Sequence, residues 1–519
     1  MTNPAARPVV VTDDTSTIGF APRRLHPAWI ILTAIQSLRG LVLPLAVLVI
    51  SGGRQQDGAF LAIAGVLALG SIGLRAASWW MFRYEVSGGE LRVRSGLIAR
   101  RERSVPLERI QAVDTSESPL QRLFGVVRVK IETAAAGAAG SDVTLEALSH
   151  ADASDLRHRL SAERFGPGSG SPIAGDAKPQ EAAGELIRTM TPAELFVAGV
   201  TSGRIGPALA LLFGAFQFAD ELLPDSIWEP LAMEARGFSL RGLLTLLVVV
   251  GLGAWLLALA STVLTFGGFE LRREGDRLHI AYGLLDRRRS TIPLARIQAI
   301  TMTEGLLRQP FGLATLRIES AAYGKATAES GVLFPLVRTR EAVSLLQRAC
   351  PAFAAASIDP GGSRLHPLPR RAMRRYVLSA TGRVAALAAV VCAVAALVPE
   401  IPWWIGVPGL LLALPAALHG LLGYRDAGWA IDSEERIVVR ERSIGRRTIV
   451  TARRRLQHRQ VVRGPFQRRA RLATLRAAVA SSGGGGHLAL VHLDEGDAFD
   501  LLSRLGRSSP VSSERTPVP

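Results

Sequence analysis

Cysteine is almost absent: the 519 residues hold two, Cys350 and Cys392. No disulfide framework or cysteine-ligated zinc site can be built from them. The nine histidines are scattered and form no His-Glu-x-x-His metal pair. There is no Gly-x-Ser-x-Gly elbow, no phosphate loop ending in Gly-Lys-Ser/Thr, and no Gly-x-Gly-x-x-Gly opening a helix after a strand. The expectation is therefore of no enzymatic activity, no cofactor and no metal. Acidic residues are missing from one place in particular. The long apolar runs hold arginines but no Asp or Glu, which argues against a proton relay or an ion pathway.

What is present is apolar and basic at once. Mean hydropathy is +0.24 beside a formal charge of +17 and a pI near 11.1. The two properties must be segregated along the chain, as in a membrane protein with basic soluble parts. At this length several domains are expected. Apolar runs cover 28–50 and 59–80, then 195–218 and 243–266, then 376–398 and 403–422. Each is long enough to cross a bilayer, which takes about 20 residues. They read as six transmembrane helices in three hairpins. Residues 1–27 are polar and read as a tail, not a cleavable signal peptide.

Arginines gather on one side of these runs, at 23, 24, 83, 370, 371, 374, 375 and 425, whereas the opposite loops are short or acidic. By the positive-inside rule both termini and the soluble parts face the cytoplasm of a multi-pass inner (plasma) membrane protein.

The soluble parts are repeats. Pro106-Leu-Glu-Arg-Ile-Gln-Ala-Val returns as Pro293-Leu-Ala-Arg-Ile-Gln-Ala-Ile, and Lys130-Ile-Glu132 as Arg317-Ile-Glu319, in constant register without a gap. A third copy is weaker. Leu313-Ala-Thr-Leu-Arg317 recurs as Leu472-Ala-Thr-Leu-Arg476, but Ala452 replaces the proline, Arg442 a glycine, and Ala477-Ala478 the Ile-Glu. Alternating segments such as Glu90-Leu-Arg-Val-Arg94 predict antiparallel strands. Each copy closes with an amphipathic helix, at 151–160, 338–348 and 495–505, with Asp152, Thr339 and Asp494 as N-caps or first-turn acids.

The domain plan is a tail at 1–27, a hairpin at 28–80, a small barrel at 81–165 and a flexible linker at 166–190. A hairpin at 191–266, a barrel at 267–354 and a basic linker at 355–375 follow. The last hairpin at 376–422, a divergent barrel at 423–508 and a tail at 509–519 complete it.

A hairpin, a strand with Gly-Leu, then Pro-Leu-x-Arg-Ile-Gln and Phe-Gly-x-x-x-Leu/Val-Arg/Lys-Ile-Glu resembles the bacterial pleckstrin-homology-like membrane proteins, in their YdbT-like branch. The resemblance covers nearly the whole chain and is weakest in copy three. It implies three α+β PH-like barrels, of antiparallel strands plus a C-terminal helix, at the inner face of the membrane. It also implies no established enzymatic activity and a smaller PH-like membrane protein as companion.

Candidate sites follow from the repeats. Arg109 and Gln111, with Arg296 and Gln298, could hold an anionic headgroup or a partner carboxylate, because a guanidinium makes bidentate charge-assisted contacts. The reading favoured over this one is that they lock the barrel to its own turn, with Glu132 and Glu319 as internal partners. Arg100, Arg101 and Arg103, with Arg287, Arg288 and Arg289, form juxtamembrane clusters, each residue gaining about 1 kcal/mol near an anionic leaflet. The same clusters could serve only to fix topology. They lack interleaved aromatics and are tethered to a membrane, so nucleic acid is not an expected partner. Arg39, Arg204 and Arg383 lie in the first helix of each hairpin. A charge there marks a site by default, so a lipid-handling or transport role is the alternative to a non-enzymatic scaffold. The expected partners are anionic phospholipid headgroups and a membrane or cytosolic protein, joined by β-augmentation at a barrel edge.

Overall fold

The computed structural model describes residues 22–35, 57–97, 99–133, 143–156, 184–202, 210, 240–320, 331–355, 365–397, 411–480 and 486–506. Two compact units divide the chain: Met1–Ala135 with Gly140–Lys178, and Ala136–Ala139 with Pro179–Pro519.

The first unit holds copy one. Residues 28–35 are helical, and helix α1 runs Asp57–Met81. An antiparallel meander follows, of β1 (Arg83–Ser87), β2 (Glu90–Ser95) and β3 (Arg101–Pro106). A 3₁₀ turn at Leu107–Arg109 leads into β4 (Ile110–Glu117). After the short helix α2 (Pro119–Leu123), β5 (Val126–Thr133) and β6 (Val143–Ser149) complete a second meander, and residues 150–156 are helical. Alternation decides which residues go inside. Leu91 and Val93 of β2 are buried while Glu90, Arg92 and Arg94 are not. The core joins Tyr84, Leu91 and Val105 of the first meander to Val129, Ile131 and Leu145 of the second, closed by Leu156 of the helix. The turn into β2 uses Gly88 and Gly89, both at positive φ, a conformation glycine adopts without penalty.

The second unit holds copies two and three. Strand β7 (Glu185–Thr189) precedes helix α3 (Pro192–Val200), and α4 (Leu240–Phe266) follows. Copy two then repeats the plan: β8 (Glu270–Glu274), β9 (Arg277–Tyr282), β10 (Arg287–Pro293), a 3₁₀ turn at Leu294–Arg296, β11 (Ile297–Glu304), β12 (Leu313–Ser320), β13 (Val332–Arg338) and helix α5 (Thr339–Ala349). Copy three has β14 (His366–Pro367), α6 (Arg370–Leu397), α7 (Ala413–Asp426), β15 (Gly428–Ile431), β16 (Arg436–Arg442) and β17 (Arg446–Ala452). A 3₁₀ turn at Arg453–Arg455, β18 (Leu456–Val462), α8 (Pro465–Arg469), β19 (Leu472–Val479), β20 (His487–Asp494) and α9 (Glu495–Gly506) end it.

Copies two and three share a wall. One sheet runs β13-β12-β11-β17-β16-β15-β14, joined where β11 pairs with β17. Its two faces feed two cores. Val438 and Val450 pack into the core of copy two, whereas their neighbours Ile437, Val439 and Ile449 pack into that of copy three. A strand buried on both faces is apolar at successive positions, and each such Val or Ile contributes about 1.5–3 kcal/mol.

The chain before each helical stretch is tied to the barrel that follows it. Arg23 bridges Tyr84, β7 pairs with β8, and β14 pairs with β15, so the strand before each helical stretch lies against the strand after it. Small residues let helices meet closely. A Cβ on Gly420 of α7 would sit 2.7 Å from the Tyr376 carbonyl oxygen of α6.

Three expectations need correction. Among the described residues two helices are long and apolar enough to cross a membrane, Val248–Phe266 and Arg370–Val394, not six in three pairs. Four of the six runs, 28–50, 195–218, 376–398 and 403–422, extend beyond the described residues. Helix α6 also starts at Arg370, inside the stretch read as a basic linker. Thr339 caps nothing, since α5 starts after Arg338 with no side-chain cap. In copy one Ser149 is the cap: its hydroxyl accepts the Asp152 amide at 3.0 Å.

A candidate docking site at the repeat junction

The Pro-Leu-x-Arg-Ile-Gln motif is a corner followed by a bulge. Pro106 and Pro293 are extended (ψ 133° and 131°) and lead into a 3₁₀ turn that ends on Arg109 or Arg296. Ala452 is also extended (φ −87°, ψ 141°), so the corner survives loss of the proline. The next two residues break register in all three copies, between Ile110 and Ala112, Ile297 and Ala299, Leu456 and His458. Glutamine is the extra residue of each bulge. The Gln298 side-chain amide turns back to donate to the Arg296 carbonyl at 3.2 Å, which is the internal, turn-locking use of the motif.

The bulge also meets copy three. The Thr451 hydroxyl donates to the Gln298 carbonyl at 2.8 Å, and the Arg455 guanidinium to the Ala295 carbonyl at 3.1 Å. Arg455 lies 5.2 Å over the Phe353 ring. Burial, then the neighbouring Arg454, lowers its pKa.

The basic third strands differ in the exposure of their arginines. Arg101 and Arg103 on β3, Arg100 just before it, and Arg287 and Arg289 on β10 are exposed, with Arg288 half-buried. Arg109 is exposed as well, and Arg296 half-buried. Their counterparts on β17 are inside a protein junction. The Arg446 guanidinium lies 3.4 Å from the Glu304 carboxylate at the end of β11 and 3.2 Å from Asp426 of α7. Arg447 lies 3.9 Å from Glu319 and 3.4 Å from Glu441. Arg442, its side chain 2% exposed, bonds Asp426 and reaches the Gln309 side-chain oxygen at 2.6 Å. Burial pushes the Glu304 and Glu441 pKa values up against the pull of these arginines.

Arg442 stands where copy two has Gly283. That glycine sits at φ +106°, and a Cβ there would lie 2.0 Å from the Asp286 carbonyl oxygen. Copy three reshapes this turn and places an arginine in the junction.

Glu319 was expected beside Arg296; the partner described for it is Arg447, across the repeat boundary. The side chains of Gln111 and Glu132 lie outside the described residues, as do Arg39 and Arg204. Arg383 is exposed on α6, its guanidinium turned back to the Ser379 carbonyl at 3.1 Å. Sequence reasoning missed Glu304, Asp426 and Arg442. One signal was available: Glu117 and Glu304 recur at the same place in copies one and two.

The barrel of copy three is tied to its helices. Arg371 bonds Asp494, Arg375 donates to the Phe466 carbonyl at 2.6 Å, and the Tyr376 hydroxyl to the Val491 carbonyl at 3.1 Å. Gln467 lies 3.0 Å from His492 Nδ1. Burial, then Arg375, lowers the His492 pKa to about 4.

The sequence pattern of the bacterial PH domain matches the chain three times, over residues 33–164, 216–349 and 377–507. Each match takes in apolar helical sequence as well as a barrel. The UPF0699 transmembrane protein YdbT of Bacillus subtilis (strain 168) is 28% identical over 507 residues, 93% of this chain and 97% of that protein. The UPF0699 transmembrane protein YdbS of the same organism is 42% identical over 55 residues, 11% of this chain and 35% of its own length. No solved structure matches.

Proposed function

This chain belongs to the bacterial PH domain family of membrane proteins, and on that premise we propose that it is a non-enzymatic, multi-pass scaffold. Three PH-like barrels hang at the cytoplasmic face from membrane-spanning helices, and bind anionic phospholipid headgroups and a protein partner. The observation that carries this is the repetition of whole units, helices together with barrel, each with its entry and exit strands paired. Pairing of β14 with β15 brings the chain back to the side it left, which supports an even number of crossings between them. The exposed arginines of β3 and β10 supply a charge that an anionic leaflet attracts. The YdbS similarity supports a smaller related membrane protein as the partner.

The test uses full-length protein in nanodiscs of phosphatidylcholine with or without phosphatidylglycerol, with crosslinking pull-down from native membranes. The proposal expects tighter retention of the barrels by the anionic discs, lost on replacing Arg287, Arg288 and Arg289 with glutamine, and one specific crosslinked partner. Neither lipid preference nor partner capture would reject it.

A further inference from the structure

Strand β18 ends its sheet, which among the described residues contains only β18, β19 and β20. His458, Arg459 and Gln460 along it are exposed. The strand at the same place in copy two, β11, is covered: β17 lies along it, and Ala299, Ile300, Thr301 and Met302 are buried.

Copy two therefore displays what such an edge accepts. The occupant is the third strand of a PH-like unit, running antiparallel, with Arg446 opposite Glu304 and Arg447 opposite Thr303. Acceptor carboxylates at Glu304 and Glu319 face those two arginines.

Copy three keeps the backbone and inverts the charge. The same bulge separates Leu456 from His458. In the repeat alignment Arg463 replaces Glu304, Ala478 replaces Glu319 and Arg459 replaces Ile300. Arg463 pairs with Glu495 and lies 5.3 Å over the Phe499 ring, and Arg476 on the adjacent β19 is exposed. Two arginines stand at or just before the start of every third strand of this chain, Arg100-Arg101, Arg287-Arg288 and Arg446-Arg447. In the register of copy two the first would stand opposite Arg463, and like charges directly opposed destabilise a strand pair.

We propose that the β18 edge docks the third strand of a PH-like unit from a different polypeptide, one that carries carboxylates where this chain carries arginines. A second copy of this chain is disfavoured as occupant by its own β3. The inference rests on the partner-presenting role proposed for the chain and specifies where that partner sits. Main-chain bonds along the edge supply the attachment and the charge supplies the selection.

The probes are two peptides, one with the sequence of Arg446–Ala452 and one with both arginines replaced by glutamate, titrated against the full-length protein in nanodiscs. The glutamate peptide is expected to bind about tenfold tighter, the size of one directly opposed pair changed from like to unlike charge. Arg463→Glu reverses the preference, and Gln460→Pro abolishes binding of both. Equal binding of the two peptides, or a preference unmoved by Arg463→Glu, overturns the proposal. If Gln460→Pro loses its melting transition, the reversal by Arg463→Glu decides alone. Vesicle flotation with phosphatidylglycerol runs in parallel. Flotation retained without peptide discrimination discards this docking site and keeps the scaffold role; loss of both discards both.

Discussion

The guanidinium of Arg446 lies 3.4 Å from the carboxylate of Glu304, joining the third strand of one repeat to the fourth strand of the repeat before it. Glu304 is 2% exposed, so this carboxylate depends on its cations. Removing one partner of a buried pair costs about 3–5 kcal/mol, whereas replacing both is often close to neutral. Arg446→Ala is expected to lower stability by about 3 kcal/mol, because Arg442 and Arg440 still act on Glu304. The double variant Glu304→Gln with Arg446→Gln recovers most of the loss. Thermal melts of the purified protein in detergent check this; a double variant no better than the single one would refute the pairing.

Gly283 and Arg442 occupy one repeat position and resist exchange for different reasons. Gly283→Ala forces a side chain into φ +106° against the Asp286 carbonyl, at a cost of about 2 kcal/mol or more. Arg442→Gly restores the glycine of copies one and two yet also destabilises, because it removes the arginine's own bonds to Asp426 and Gln309. A melt in which Arg442→Gly stabilised copy three would mark its arginine as erosion.

The pH dependence of copy three follows from His492. Its folded pKa of about 4 lies below the unfolded value of 6.5. The unfolded chain therefore binds more protons between those pH values, and stability falls as the pH drops through that window. The loss is about 2 kcal/mol after allowing for solvent screening. Asn tolerates the left-handed backbone found here, φ +60°, so His492→Asn is expected to flatten the profile between pH 4 and 6.5. An unchanged slope in that variant would assign the loss to another group.

Local features of the fold were legible because their causes are local. Leu91 and Val93 alternate with charged neighbours, Gly88-Gly89 marks the hairpin, and the corner motif of copy one recurs in copy two. The shared wall was not legible. Val438-Val439 and Ile449-Val450 read as short apolar runs, and nothing in them says that successive residues enter different cores. The junction was hidden for the same reason: Glu304 and Arg446 are neighbours only because β11 and β17 pair. Arg442 looked like a lost glycine until its partners were in view. Of the candidate arginines, Arg101 and Arg103 on β3 and Arg287 and Arg289 on β10 are exposed, while Arg296 shares its turn with the locking bond from Gln298.

The central claim is one architecture copied three times, with every barrel on the inner side of the membrane. Cysteines placed singly at Glu108, Ala295 and Arg454, exposed positions on the three corner turns, test it most directly in a chain lacking Cys350 and Cys392. A membrane-impermeant maleimide added to intact cells should label none of the three, and should label all of them in inverted vesicles. Labelling of any one from outside would contradict the account.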